Sequence, residues 1–237
     1  NEHWKKLMEL WQLEQMEYGR TEFKKEFIDT KFGKTQVLSS VNNKDNLPHL
    51  VFLPGFRTCG LYWDISDAIS IYEDKYQVHL IDVIGQPSMS DGITPPVKGL
   101  EYGHWLTELL NALSIEKAAF AGSSSVGQSI IKLSQVIPDR ITKAFLCNPG
   151  GLVNVSLGGI MANIPILINS SDRNIEKMIQ KVAFGKRNGL NEKQYNSLLR
   201  NIIISVKGFN NGAQYPYKMK DKELKGMTAP TYLMLGT

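Results

Sequence analysis

Five short apolar runs constrain this chain more than any other feature: His49–Leu53, Gln77–Val83, Ala118–Ala121, Ile141–Cys147 and Thr231–Leu235. Each is hydrophobic at consecutive positions rather than alternate ones. A strand that is apolar on both faces must be covered on both, and that pattern belongs to a mostly parallel sheet between two layers of helices. The segments between the runs agree, since residues 64–73, 100–114, 125–137 and several stretches between 153 and 226 read as helices. Ahead of them, Trp4, Leu7, Met8, Trp11 and, less regularly, Leu13 fall at helical spacing, which predicts an amphipathic helix packed on the domain. Residues 23–30 and 35–40 read as a hairpin turning at Gly33. The predicted class is α/β.

The spacing of the runs breaks once. About 80 residues separate Cys147 from Thr231, where a single crossover needs a few tens at most. Residues 174–184 and 191–206 in that interval read as helices, parted by Gly185 and Gly189, and the apolar stretch 152–168 is interrupted by Gly158, Gly159 and Pro165. An insertion there, over the carboxyl edge of the sheet, predicts a cap. Ile160, Met161, Ile164 and Leu167 would give it an apolar lining, although such a stripe also suits plain packing. The expected organisation is an N-terminal helix (1–22), a core (23–151), a helical cap insertion (152–226) and a returning core strand (227–237).

Charge excludes some classes of partner. The 27 Lys and Arg exceed the 23 Asp and Glu by four, and the excess is scattered, so no nucleic-acid partner is expected. Cys59 and Cys147 lack metal-ligand spacing and are expected as free thiols; no cofactor or metal motif is present. No apolar run reaches the ~18 residues of a membrane span, and a cytoplasmic location is the default. Oligomeric state is not readable.

The chemistry concentrates in Lys117-Ala-Ala-Phe-Ala-Gly-Ser-Ser-Ser-Val-Gly127. A short apolar strand ends at Gly122, three serines follow, and a helical pattern begins at once. A serine on a sharp strand-to-helix turn projects its hydroxyl above the sheet, beside helix N–H groups able to meet a developing oxyanion. Two registers are open. With Ser124 as nucleophile, Gly122 lies two residues before it and Val126 two after, a larger side chain than the steric rule favours. With Ser125, Gly127 takes the later position and Ser123 the earlier. The bland alternative is a serine-rich helix N-cap.

With these residues in view, the chain resembles the α/β-hydrolase superfamily, and within it bacterial carboxylesterase-like members. The features that carry the likeness are the Thr30-Lys-Phe-Gly-Lys-Thr35 hairpin and Leu53-Pro54-Gly55-Phe56, where the usual loop histidine is Pro54. Trp63, Asp82-Val-Ile-Gly85 followed by Ser90, Pro138-Asp-Arg-Ile141 and Ala229-Pro-Thr-Tyr-Leu-Met-Leu-Gly236 match as well. The longer superfamily pattern Gly-x-Ser-x-Gly-Gly favours the first register, because only it leaves Gly122 and Gly127 both matched. The resemblance implies Ser124 as nucleophile, with the backbone N–H groups of Phe56 and Ser125 as oxyanion donors. It implies a small-molecule, apolar ester as substrate and no cofactor, while Arg57 is read as a loop anchor. A C–C hydrolase or acyltransferase on the same fold, and a non-catalytic scaffold, are the rival readings. An Asp at the elbow would have suggested a dehalogenase.

The superfamily's triad order is Ser, then acid, then His. The four histidines are His3, His49, His79 and His104, and all precede the serines. His104, beside Trp105, reads as a scaffold residue. Either the acid and the histidine are encoded beyond Thr237, which is favoured because the last strand breaks off mid-motif, or the product is a remnant without triad chemistry.

Overall fold

The computed structural model describes residues 2–42, 44–154, 161, 169–180, 189–209 and 216–235. Its strands are β1 (Phe23–Thr30), β2 (Gly33–Ser40), β3 (His49–Leu53), β4 (Gln77–Ile81), β5 (Ala118–Ser123), β6 (Ile141–Cys147) and β7 (Thr231–Met234). They form one sheet in the order β1-β2-β4-β3-β5-β6-β7. The hairpin β1–β2 is antiparallel and joins β4 in antiparallel fashion; from β4 to β7 every pairing is parallel. The fold is α/β with a mostly parallel sheet, as the apolar runs predict.

Why those runs are apolar throughout is visible in β3. Val51 and Leu53 point into one core with Trp105, Leu109, Ile130 and Leu133, whereas Leu50 and Phe52 point into the other with Met8, Trp11 and Leu80. Successive strand residues face opposite sides, so a sheet covered twice needs hydrophobic residues at every position. Each fully buried side chain of this size contributes about 1.5–3 kcal/mol. The first core lies under α2 (Glu101–Ala112) and α3 (Gly127–Val136). The second lies under α1 (Glu2–Tyr18), whose Met8 and Trp11 are buried. Leu13, the irregular member of the α1 stripe, faces solvent.

Two local expectations need correction. Residues 64–73 do not make a helix; the chain forms short 3-10 turns at Gly60–Asp64 and Ile69–Ile71. Between them Asp67 adopts φ 58°, which a continuing right-handed helix excludes, and its carboxylate is held by Arg20. The Asp64 carboxylate meanwhile accepts the Ile69 N–H at 2.9 Å. The second correction is β7, expected as a buried strand. Among the described residues it stands last in the sheet order, paired with β6, and its Tyr232 (51%) and Leu233 (51%) are exposed. A strand paired on one side keeps its burial only where helices cover its faces, and among the described residues Tyr232 finds chiefly Phe145, ring on ring at 5.0 Å.

Within the interval between β6 and β7, three helices are described: α4 (Asp172–Ile179), α5 (Glu192–Gly208) and α6 (Asp221–Leu224). Asn191 starts α5 through a capping box with Gln194. Ile175 and Ile179 of α4 pack on Leu198 and Ile202 of α5. Trp11 Nε1 donates to Ser197 O at 3.0 Å, fastening α5 to α1. Ile160, Ile164 and Leu167 lie outside the described residues, and Met161 is exposed. No helix among the described residues is long and apolar enough to cross a membrane.

Candidate active site

Parallel strands deliver their carboxyl ends to one edge, and in this sheet Leu53 of β3 pairs with Gly122 of β5. The loops that follow therefore lie side by side. After β5, Ser123 is extended and Ser124 turns to φ 54°; Ser124–Val126 then make a 3-10 turn that runs into α3 at Gly127. The left-handed conformation falls on Ser124 and not on Ser125. For a residue with a Cβ, such a backbone costs on the order of 1 kcal/mol and persists only where its surroundings hold it. Ser124 is exposed and Ser125 half-buried. Among the described residues, no side chain is hydrogen-bonded to the Ser124 hydroxyl.

The tightness of this bend explains Gly122. A Cβ there would sit 2.6 Å from Ile130 Cδ1 and 3.4 Å from Gly127 Cα, where α3 folds back across the strand end. Val126, large for its place by the steric rule, is accommodated because its side chain is buried in the core beneath α2 and α3.

The loop after β3 is held from two sides. Thr58 donates to Gly55 O from its N–H (3.3 Å) and its hydroxyl (2.7 Å), while Arg57, at φ 61°, donates its N–H to Gln86 Oε1 at 3.0 Å. Residues 55–57 are thereby held against the elbow: a Cβ on Gly55 would lie 3.4 Å from Ser124 Cβ. Behind them is a cavity of about 30 Å³, room for roughly one water, lined by Phe56, Ser125, Val126, Gln86, Lys132 and Pro216 among others. Gln86, Lys132 and Pro216 are absent from the sequence-level site. Gln86 directly follows the Asp82–Gly85 motif, a signal available in sequence; the other two carry none. A far larger cavity, about 730 Å³, lies between α1, the Asp64 turn and α5, and Phe56, Ser124 and Ser125 do not line it.

Asp82 of the Asp-x-x-Gly motif is buried and structural. Its carboxylate accepts from Gly60 N–H (2.7 Å), Gln36 Nε2 (3.0 Å), Gln12 Nε2 (3.2 Å) and Met89 N–H (3.2 Å). Burial raises its pKa, against the pull of those donors. The histidines lie elsewhere. His49 opens β3 and His79 lies in β4, with 3.0 Å between His49 Nδ1 and His79 Nε2 and 2.9 Å between His79 Nδ1 and Ser39 Oγ. Burial, and then the neighbouring His49, pushes the His79 pKa down to about 3. His104 is exposed on α2, and His3 belongs to the first turn of α1. Cys59 and Cys147 are free; burial raises both thiols. Among the described residues, no three His, Cys, Asp or Glu side chains converge as metal ligands.

Comparison with known proteins places this geometry. No family model matches the chain. It is 23% identical over 219 residues to carboxylesterase YbfK of Bacillus subtilis, covering 89% of this chain and 70% of that protein. It is 27% identical over 225 residues to an uncharacterized carboxylesterase, nap, of the same organism, covering 89% and 69% respectively. Among solved structures, naproxen esterase from Bacillus subtilis superimposes with a TM-score of 0.78 at 20% identity, over 95% of this chain and 78% of that one. Carboxylesterase CesB (YbfK) from Bacillus subtilis gives 0.77 at 20% identity, over 98% and 80%. Sheet order and these likenesses agree: the chain has the α/β-hydrolase fold and is similar in sequence to bacterial carboxylesterases.

Proposed function

We propose that the protein is a carboxylesterase-type serine hydrolase that cleaves carboxylic esters through an acyl-enzyme on Ser124. The observation that carries this is the backbone of the elbow: an exposed serine at φ 54° on a strand-to-helix turn, against a pinned loop after the neighbouring strand. The carboxylesterase relatives supply the reaction class. In this reading the Ser124 oxygen attacks the ester carbonyl carbon, its proton passes to an imidazole base, and the carbonyl oxygen becomes an oxyanion. The Phe56 and Ser125 N–H groups face that oxyanion, each contributing roughly 3 kcal/mol to the barrier. The tetrahedral adduct expels the alcohol with the proton held by the base, and water repeats the sequence to release the acid. Residues 152–226 serve as a cap that selects a small apolar ester.

The base is not among the residues brought to the elbow, because none of the four histidines is hydrogen-bonded to Ser124. The second reading, a hydrolase-like scaffold without turnover, is motivated by Pro54 in place of the loop histidine and by Val126 at the elbow. A fluorophosphonate probe on the full-length protein separates the two. Labelling of the wild type, lost in Ser124→Ala, is the expected result; an unlabelled wild type rejects the hydrolase. Short p-nitrophenyl esters run against a vinylogous diketone distinguish ester from C–C cleavage.

A further inference from the structure

The insertion between β6 and β7 leaves the sheet and returns to it at the elbow, and its two stems are fastened there together. On the outgoing side, Gly150 donates its N–H to Ser124 O at 2.8 Å. On the returning side, Met219 donates its N–H to Gly151 O at 2.8 Å, and Gln128 of α3 reaches Tyr217 O at 3.4 Å. The stems are stacked closely enough that a Cβ on Gly150 would lie 2.7 Å from Pro216 Cγ and 3.1 Å from Ser125 Cα. Pro216 thus forms a wall of the cavity that Phe56 and Ser125 also line.

One side chain holds the returning stem. Lys132, two turns along α3 from Ser124, is only 2% exposed, and its ammonium lies 2.7 Å from Tyr217 Oη, 3.0 Å from Glu223 Oε1 and 3.5 Å from Lys98 O. Tyr217 and Glu223 are hydrogen-bonded to each other as well. An ammonium has three protons, and three acceptors take them here. That leaves none for a substrate carboxylate, so the cation fastens protein to protein. A buried charge matched by a carboxylate is expensive to separate from it, which makes the fastening stiff. Burial raises the Glu223 pKa, but the Lys220 N–H, the Tyr217 hydroxyl and the Lys132 ammonium outweigh it and bring it down to about 2.

We propose that Lys132 is a positioning residue: through Tyr217 and Glu223 it clamps the returning stem against the elbow, and so sets the wall of the acyl site beside Phe56 and Ser125. The part of this that concerns turnover rests on the ester-hydrolase reading; the clamp itself does not. Lys132→Met keeps the aliphatic stem and removes the charge, and Tyr217→Phe, which loses a single hydroxyl, guards against a misfolded first variant. In both, amide exchange at Gly150 and Met219 is expected to rise tenfold or more, while amides of β3 and β5 stay within twofold. Exchange unchanged at those two amides overturns the clamp. With p-nitrophenyl butyrate, both variants are expected to raise KM fivefold or more with kcat within twofold, because a displaced wall loses binding common to ground and transition states. General loosening would instead lower the active fraction and apparent kcat at constant KM, and that outcome overturns the positioning role. A wild type that neither turns over the ester nor takes the fluorophosphonate label sinks the hydrolase reading and the KM claim with it, and leaves the exchange result to decide the clamp.

Discussion

The two ends of the same parallel strands handle polar residues in opposite ways. At the amino end, half-buried His49 and buried His79 and Ser39 of the adjoining β2 form a chain of contacts, both His79 ring nitrogens facing a partner, on unstrained backbone. At the carboxyl end, Ser124 is exposed, left-handed and without a side-chain partner among the described residues. The largest histidine pKa displacement belongs to the amino end. A perturbed pKa can mark a functional group, but here it follows from burial and from the neighbouring His49, away from the elbow. Backbone strain is the better guide: Arg57, Ser124 and Asn148, all left-handed, follow the carboxyl ends of β3, β5 and β6. A satisfied polar network serves folding, whereas the proposed role of Ser124 as nucleophile rests on its exposure and its left-handed backbone.

Substitutions at the two ends should therefore separate activity from stability. The largest effect expected is Ser124→Ala, which reduces ester turnover and fluorophosphonate labelling at least ~10³-fold while the melting temperature moves by no more than about 2 °C. Turnover retained in that variant would remove Ser124 from the mechanism.

The acid response of the amino end comes next. His79 has a folded pKa of about 3 against an ordinary 6.5, so the unfolded chain binds its proton first and stability drops as pH falls from 6.5 towards 3. The slope is at most about 1.4 kcal/mol per pH unit. Asp64 acts oppositely, since burial, with Asp67 and Glu73 nearby, raises it to about 6, and its contribution is lost as pH climbs through that value. The two are separated by comparing wild type with His79→Gln in denaturant titrations from pH 7 to pH 4. The wild type should lose its advantage as pH falls, and parallel curves would mean that His79 is charged in the fold.

Smaller effects contrast the serines directly. Ser39→Ala leaves His79 Nδ1 without its partner in the core and is expected to cost about 1–3 kcal/mol. Ser124→Gly removes the penalty of a left-handed backbone and is expected to gain up to about 1 kcal/mol, with activity lost. Equal signs for these two changes in stability would break the contrast between the ends.

How far the site was legible differs by residue. The elbow was visible because three serines between an apolar strand and a helical pattern leave few other conformations, and Gly122 and Gly127 bracket it. Choosing Ser124 over Ser125 needed a resemblance at the sequence level, whereas in the fold the left-handed φ falls on Ser124 itself. The Phe56 loop could be named, and Gln86 follows a recognisable motif, but that Gln86 reaches across to the Arg57 N–H could not be read, because hydrogen bonds between loops follow from strand register. Nothing in the sequence singles out Lys132, since its partners Tyr217 and Glu223 lie 85 and 91 positions away.

Sequence by itself settled the two-sided burial of the central strands, the hairpin at Gly33, the helix α1 and the bend at the serines. Each of these rests on periodicity or on the steric demands of a few adjacent residues. Only the tertiary structure decided that β7 pairs with β6, that Asp67 breaks the 64–73 segment, and that the two stems of the insertion meet at Ser124 under Lys132. Those outcomes depend on which distant segments become neighbours, and local pattern carries no record of a contact made across ninety residues.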